Sequence, residues 1–194
     1  LVEPALMNSP LSNRRGSTFV FLNIAYLDRN KNQTMLIEAF SRHFRGKQVH
    51  LRIGGSGALE RRLKKLAEKL GVKDQVFFLG FLDRPSVIRE MQAANCFVLS
   101  SFRETFGVVL IESIASGTPV IATRCGGANN IITNKNGLLV EPGNALELGE
   151  AMVKMMGTAA QYHPERLRQE CMARFGEAAF IQNATQLYTE AMRL

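Results

Sequence analysis

No stretch of this 194-residue chain comes near the roughly 18 consecutive apolar residues of a membrane span, so none is expected. Cysteine is scarce: Cys96, Cys125 and Cys171 are odd in number and form no close pair. That spacing supports neither a disulfide framework nor a zinc site, and it reads as the reduced thiols of a cytoplasmic protein. The start, "LVEPALMNSPLSNRRG", lacks a charged leader followed by an apolar core, so no signal peptide is expected. It also lacks an initiator methionine, and the expectation is a piece of a longer protein. The three aspartates form no Asp-x-Asp pair, which argues against a metal bridging phosphates, and there is no Gly-x-Gly-x-x-Gly run. His43, His50 and His163 fit no triad or metal spacing and are read as structural or solvated. A repeat period of about 20 to 50 residues is also missing, which excludes a solenoid.

What is present describes a globular domain. Apolar residues make up 46% and charged residues 21%, too balanced for a disordered chain. The net charge of +7 favours anionic partners such as phosphates, nucleic acid or an acidic lipid surface. Much of it lies in "ERRLKKLAEK", where Leu59, Leu63, Leu66 and Leu70 recur at helical spacing. The basic residues are therefore the wet face of an amphipathic helix, and no nucleic-acid partner is expected.

From Thr18 onward, short apolar runs alternate with helical patterns. "TFVFLNIA", "QVHLRIGG", "QVFFLG", "CFVLS", "TPVIAT" and "GLLVEP" read as six strands. Between them lie a helix with Leu36, Phe40 and Phe44 on one stripe, the basic helix ending at Gly71, and a helix with Pro85 in its first turn. Asn144 and Glu147 have capping-box spacing before a helix whose buried stripe is Leu148, Met152 and Met155. The last thirty residues read as two helices. The pattern predicts an α/β fold with a doubly wound parallel sheet. The expected division is a linker or interdomain segment at 1–17, a Rossmann-like domain at 18–160 and C-terminal helices at 161–194. Ligands of such sheets sit beyond the carboxyl ends of the strands, where "GGSG", "LGFLDR", "SSFRETFG" and "TRCGG" all fall.

One of those loops leads into the helix Val108–Ala115, apolar except for Glu112. A helix apolar on every side is buried, so Glu112 needs a partner. Two partners are open: an arginine or backbone amides that merely hold the loops, or the vicinal hydroxyls of a ligand, as in ribose-binding acids. Glu104, eight residues earlier, reaches the same cleft from the loop. Between them the amides around Phe106 and Gly107 open the helix, an end that attracts anions. Carboxylate, anion-binding amides and carboxylate, in that order, fit the sugar, diphosphate and ribose of a nucleotide sugar.

"ETFGVVLIE" resembles the Glu, seven residues, Glu motif of retaining glycosyltransferases of family 4, which have the two-domain GT-B architecture. "NIAYLDRNKNQTMLIEAF", "LRIGGSG", "VFFLGF", "CFVLSSFRETFGVVLIESIASGTPVIAT" and "GLLVEPGN" are similar to that family's landmarks in order, from Thr18 to Asn144. "RFGEAAFIQNATQLYTEAM" resembles its closing helix. The resemblance implies a C-terminal, donor-binding domain, inactive without its N-terminal partner. It implies that Glu104 contacts the transferred sugar and Lys31 neutralises the leaving diphosphate. Phe106, Gly107 and Val108 would border that diphosphate, Glu112 would hold the ribose, and the main chain near Gly80 and Phe81 would meet the base. Gly55, in the glycine turn after the second strand, is expected near the phosphates.

One departure matters. Many relatives carry an arginine five residues before that lysine; here the position is Tyr26. Each phosphate of the donor carries a charge, Lys31 supplies one cation, and a helix end adds about half a unit. A second cation is therefore expected, Arg103 first and the other domain second. The alternative for Arg103 is a loop salt bridge.

The expected reaction is sugar transfer from a UDP- or GDP-type donor, with no cofactor and no metal. The expected acceptor is a sugar or lipid-linked sugar met through the N-terminal domain, in bacterial polysaccharide or glycoconjugate synthesis. Peripheral contact with the inner face of a membrane is left open. The rivals are a GT-B-like nucleotide-sugar epimerase, a basic nucleic-acid or membrane-binding module and, more remotely, a nicotinamide dehydrogenase.

Overall fold

The computed structural model describes residues 18–192, so the expected linker at 1–17 lies outside the described residues. The elements alternate as the hydrophobic pattern predicts. They run β1 (Phe19–Ile24), α1 (Gln33–Phe44), β2 (Val49–Gly54), α2 (Glu60–Lys69), β3 (Val76–Gly80), α3 (Arg84–Ala93) and β4 (Cys96–Leu99). Then come α4 (Val108–Ala115), β5 (Val120–Thr123), α5 (Ala128–Ile131), β6 (Gly137–Val140), α6 (Ala145–Thr158), α7 (Pro164–Phe175) and α8 (Glu177–Ala191). The strands form one six-stranded sheet in the order β3-β2-β1-β4-β5-β6, with every pairing parallel. This is the expected doubly wound, Rossmann-like sheet. The order reverses between β1 and β4, so the loops leaving those two strands part and open a crevice at the carboxyl edge.

Both faces of the sheet are covered, which explains why several of its strands, such as β4 and β6, are continuously apolar. Phe21, Leu51, Ile53, Val98 and Ile121 face one core with α1, α2 and α6. Leu22, Phe97, Leu99, Val120 and Ala122 face the other with α3, α4 and α7. The first core is built around aromatic rings, with Phe21 to Phe44 and Phe40 to Phe44 both 5.4 Å apart between centroids. Leu36, Phe40 and Phe44 are fully buried, as their stripe predicts, and so are Leu148, Met152 and Met155.

The local signals mostly act as their chemistry dictates. Gly71, at φ 70°, ends the turn after α2 in the left-handed region. Its amide donates to Glu68 O and that of Val72 to Ala67 O, each at 3.0 Å, which closes a Schellman motif. The basic residues Arg61, Arg62, Lys64 and Lys65 of α2 are exposed, as a wet face should be. The capping box at α6 is only half formed. Asn144 Oδ1 accepts from Glu147 N at 3.1 Å, but Glu147 Oε2 accepts from the backbone amide of Glu141 at 3.0 Å and from Asn144 Nδ2 at 3.1 Å rather than from the backbone amide of Asn144. None of the histidines is gathered into a catalytic group. His43 packs where α1 crosses α6, so close that a Cβ on Gly149 would lie 2.4 Å from its ring. His50 meets Phe77 edge-on, and His163 is exposed ahead of α7.

Beyond residue 160, α7 packs onto the sheet domain. Leu167 and Cys171 of α7 are buried in the second core. Arg168 Nε donates to Ala115 O at 2.8 Å, at the end of α4, and Arg174 donates to the carbonyls of Asn130 and Ile131. Burial pushes the Cys171 thiol up to about 12, so it is inert. Among the described residues no helix is long and apolar enough to cross a membrane.

Candidate functional site

Two loops at the switch point carry the first pair of site residues. In the β1–α1 loop, Lys31 N donates to Asp28 Oδ1 at 2.9 Å, and Lys31 O accepts from Ser100 Oγ at 2.8 Å. Asn30 is the clasp to the β4–α4 loop. Its Oδ1 accepts from Arg103 N at 3.1 Å, its Nδ2 donates to Arg103 O at 2.9 Å, and its carbonyl accepts from Phe102 N at 2.7 Å. These contacts hold the backbone of Lys31 beside that of Glu104. Lys31 Nζ donates to Glu104 Oε2 at 2.6 Å, in a pair that is partly buried. An ammonium has three donors, so this bond leaves Lys31 able to meet an anion while still holding Glu104.

The glycine turn after β5 supports Glu104 from below. Glu104 N donates to Cys125 O at 2.7 Å, and Glu104 O accepts from Gly127 N at 2.9 Å. A Cβ on Gly127 would lie 2.3 Å from Phe106 O, so only glycine admits this approach. Burial raises the Cys125 thiol above its usual range; nearby Glu104 adds to that, while a hydrogen bond with Thr123 opposes it.

Gly107, at φ 88°, is the N-cap of α4 and provides no side-chain cap. The first amides of the helix therefore keep donors for a ligand, the arrangement that suits an anion. One turn on, Glu112 is 9% exposed overall, and Arg84 NH2 contacts its Oε1 at 2.7 Å. The arginine that the sequence left as one option for Glu112 is thus present, at the first position of α3.

The strand-end loops meet here but contribute unequally. Gly55 N donates to Gly80 O at 2.7 Å, and a Cβ on Gly55 would lie 2.0 Å from Ala25 O. The glycine turn after β2 thus packs backbone on backbone, and the Gly55 amide is already engaged, so it offers a phosphate proximity rather than a donor. Phe81 is 81% exposed beside Gly80 at the end of β3. Tyr26, Phe102, Phe106 and Val108 are exposed along the same edge. An exposed apolar rim around polar groups marks a surface that meets a partner or ligand. Arg103 is exposed, and among the described residues no carboxylate pairs with it. The loop salt bridge considered for it is not formed there. Among the described residues no group of three or more His, Cys, Asp or Glu is arranged to hold a metal ion.

Sequence reading missed Asn30 and Arg84. "LGFLDR" marks Arg84 only as a charge in a loop, and the separation of 28 positions from Glu112 hides their contact. Asn30 carries no local signal, because its partners lie 73 residues away.

The cap of α3 gives a pH test. Asp83 Oδ1 accepts from Ser86 N at 3.0 Å, and the hydrogen bonds from Ser86 hold the Asp83 carboxyl below its usual 3.8. A folded-state value below the unfolded one stabilises the protein above about pH 4, and that contribution is lost as pH falls through the folded value. Asparagine caps without titrating. On acidification from about pH 5 to about pH 2.5 the wild type should therefore lose more melting temperature than Asp83→Asn, as followed by circular dichroism. Equal losses would remove the cap from the acid response.

A parallel sheet with a switch-point crevice, a lysine–glutamate pair and an open helix N-terminus defines a Rossmann-like domain of the GT-B glycosyltransferase kind. The family model described as "Glycosyl transferases group 1" matches residues 9–171, and the chain belongs to that family. It is 34% identical over 189 residues to a putative glycosyltransferase, EpsD, of Bacillus subtilis, covering 92% of this chain and 47% of that protein. It is 35% identical over 148 residues to the mannosylfructose-phosphate synthase of Agrobacterium fabrum, covering 70% and 32%. Among solved structures, Anabaena HepE in complex with UDP superposes with a TM-score of 0.79 at 25% identity, over 89% of this chain and 49% of that one. The chain spans about half the length of EpsD and HepE.

Proposed function

We propose that this chain is the donor-binding half of a retaining, family-4-like glycosyltransferase that uses a UDP- or GDP-sugar and needs neither cofactor nor metal. The observation that carries the reading is the Lys31–Glu104 pair at 2.6 Å beside the uncapped end of α4, with Glu112 one turn further on. Family membership and the likeness to a structure holding UDP support it.

In this reading the diphosphate lies against Phe106, Gly107 and Val108, where helix amides and Lys31 meet its charge. Glu104 accepts from the hydroxyls of the transferred sugar and Glu112 from those of the ribose. The base rests near Gly80 and Phe81, with Gly55 alongside. The bond from the anomeric carbon to the diphosphate oxygen breaks, a bond to an acceptor hydroxyl oxygen forms on the same face, and the hydroxyl proton passes to the departing diphosphate. Lys31 and the helix end stabilise the charge that collects on the departing diphosphate. Arg103, exposed and unmatched by any described carboxylate, supplies the second cation that Tyr26 does not. The acceptor, a sugar or lipid-linked sugar of a bacterial polysaccharide or glycoconjugate, docks through the other half of the enzyme.

Thermal shift with UDP, GDP, ADP, NAD and a short oligonucleotide tests the reading. A bound nucleotide at about 100 times its dissociation constant should stabilise the fold by about 2.7 kcal/mol. UDP or GDP should give that shift, and Arg103→Ala should weaken it. A shift with the oligonucleotide alone would replace this function with a nucleic-acid one, and an unchanged Arg103→Ala would transfer the second cation to the other domain.

A further inference from the structure

Arg84 has no place in the proposed chemistry so far, yet its guanidinium lies 2.7 Å from the buried acid of the site. The geometry of Glu112 shows what that contact does. Residues four apart on a helix share a face, so Glu112 lies directly behind Val108, which is 51% exposed at the mouth of the crevice. Side chains on a helix lean towards its N-terminus, which carries the carboxylate of Glu112 back towards the anion-binding amides. Four residues of helix rise about 6 Å, comparable to the reach from a 5′-phosphate to the 2′- and 3′-hydroxyls of its own ribose. Arg84 NH2 holds the carboxylate through Oε1 at 2.7 Å, and 12% of the Glu112 side chain stays accessible to solvent.

The position of Arg84 in the chain adds a second link. It starts α3, immediately after the Asp83 cap, and lies four residues from Gly80 and three from Phe81 in the loop that ends β3. The same short loop therefore carries the exposed ring proposed for the base side and the cation that fixes the acid proposed for the ribose side. The Asp83 cap fixes where Arg84 emerges, since Asp83 Oδ1 holds the amide of Ser86.

We infer that Arg84 is a positioning residue for nucleoside recognition: it fixes Glu112 so that its carboxylate accepts from the vicinal hydroxyls of a ribonucleoside diphosphate, and it makes the site select ribose over deoxyribose. The inference rests on the donor-binding reading above. Arginine suits the role because its planar guanidinium fixes a carboxylate in angle as well as in distance. Its charge is matched by Glu112, so it adds little to the neutralisation of the diphosphate. Its effect should appear as selectivity for the ribose hydroxyls and not as general phosphate affinity.

Isothermal titration of the wild type, Arg84→Met, Arg84→Lys and Glu112→Gln with UDP and GDP, each beside its 2′,3′-dideoxy analogue, tests this. A hydroxyl donating to a charged acceptor is worth about ten- to a hundredfold in affinity, so the wild type should prefer the ribonucleotide by at least about tenfold. In Arg84→Met that preference should fall to within about twofold, with the affinity for the dideoxy analogue unchanged, and Arg84→Lys should restore part of it. Glu112→Gln should resemble Arg84→Met. If Arg84→Met weakens both ligands equally, or keeps the full preference while its melting curve shows it folded, the role of Arg84 is refuted. A wild type that binds neither UDP nor GDP would refute the donor-binding reading itself, and with it this inference. The two failures are therefore told apart by the first titration.

Discussion

Replacing Lys31 with alanine in the whole enzyme should lower kcat by about 10²- to 10³-fold, equivalent to about 2.7–4 kcal/mol, while leaving the melting temperature within a degree or two. The rate effect is large because the ammonium is preorganised. Lys31 is held by Asp28 at its amide and Ser100 at its carbonyl, and its side chain is three-quarters shielded from solvent beside Glu104. A cation fixed in that way needs no reorganisation when charge builds on a departing diphosphate, and in a partly dry site its field is stronger than in water. The stability effect is small because a partly exposed ion pair contributes little to folding. KM for the donor should change less than kcat, since the interaction strengthens as the bond breaks. Steady-state kinetics with a nucleotide-sugar donor, alongside a melting curve, gives both quantities. A loss confined to KM would make Lys31 a binding residue, and an unchanged kcat would remove it from the chemistry.

The second large effect belongs to the core. Phe40→Ala should destabilise the domain by about 3–5 kcal/mol, which lowers the melting temperature of a protein this size by about 6–20 °C. Phe40 is fully buried and tilted against Phe44, which in turn contacts Phe21 of β1. Removing the ring leaves a cavity between α1 and the sheet that fixed strands cannot fill. Nucleotide affinity measured on the folded fraction at low temperature should stay within a few-fold, because α1 supports the Lys31 loop but lends no group to the ligand. Chemical denaturation followed by tryptophan-free probes such as circular dichroism suits a chain without tryptophan. A cost below about 1.5 kcal/mol would mean that α1 repacks, and that the aromatic cluster is not the stabilising centre of this face.

The two predictions divide the molecule as its sequence does. The core was legible because burial on both faces of a parallel sheet requires continuous apolar strands, and because the helices repeat their stripes. Leu36, Phe40 and Phe44 on one helix, and Leu148, Met152 and Met155 on another, could be named from spacing alone and are buried as expected. The edge of the sheet was legible for a related reason. Loops following parallel strands share one end of the sheet, so the residues of "SSFRETFG", "GGSG" and "TRCGG" had to meet there.

The partnerships at that edge were not legible. Asn30 clasps Arg103 across 73 residues, and Arg84 reaches Glu112 across 28. Spacing along the chain says nothing about such pairs, since they depend on which loops the strand order brings together. The Gly55 turn shows the same limit from the other side. Its glycines suggest a cradle for phosphate, but the close approach of Ala25 and the bond to Gly80 give that amide to the protein's own backbone.

By itself, then, the sequence determined the sheet, its two cores, the edge where chemistry gathers and the acids that stand there, because short-range periodicity and chain direction are enough to decide these. Only the tertiary structure decided that Lys31 holds Glu104, that Arg84 rather than the backbone answers Glu112, and that Arg103 is left without a described carboxylate. Those outcomes follow from distances of a few ångströms between loops far apart in the chain, where electrostatic and hydrogen-bond energies change steeply and no pattern of residues records them.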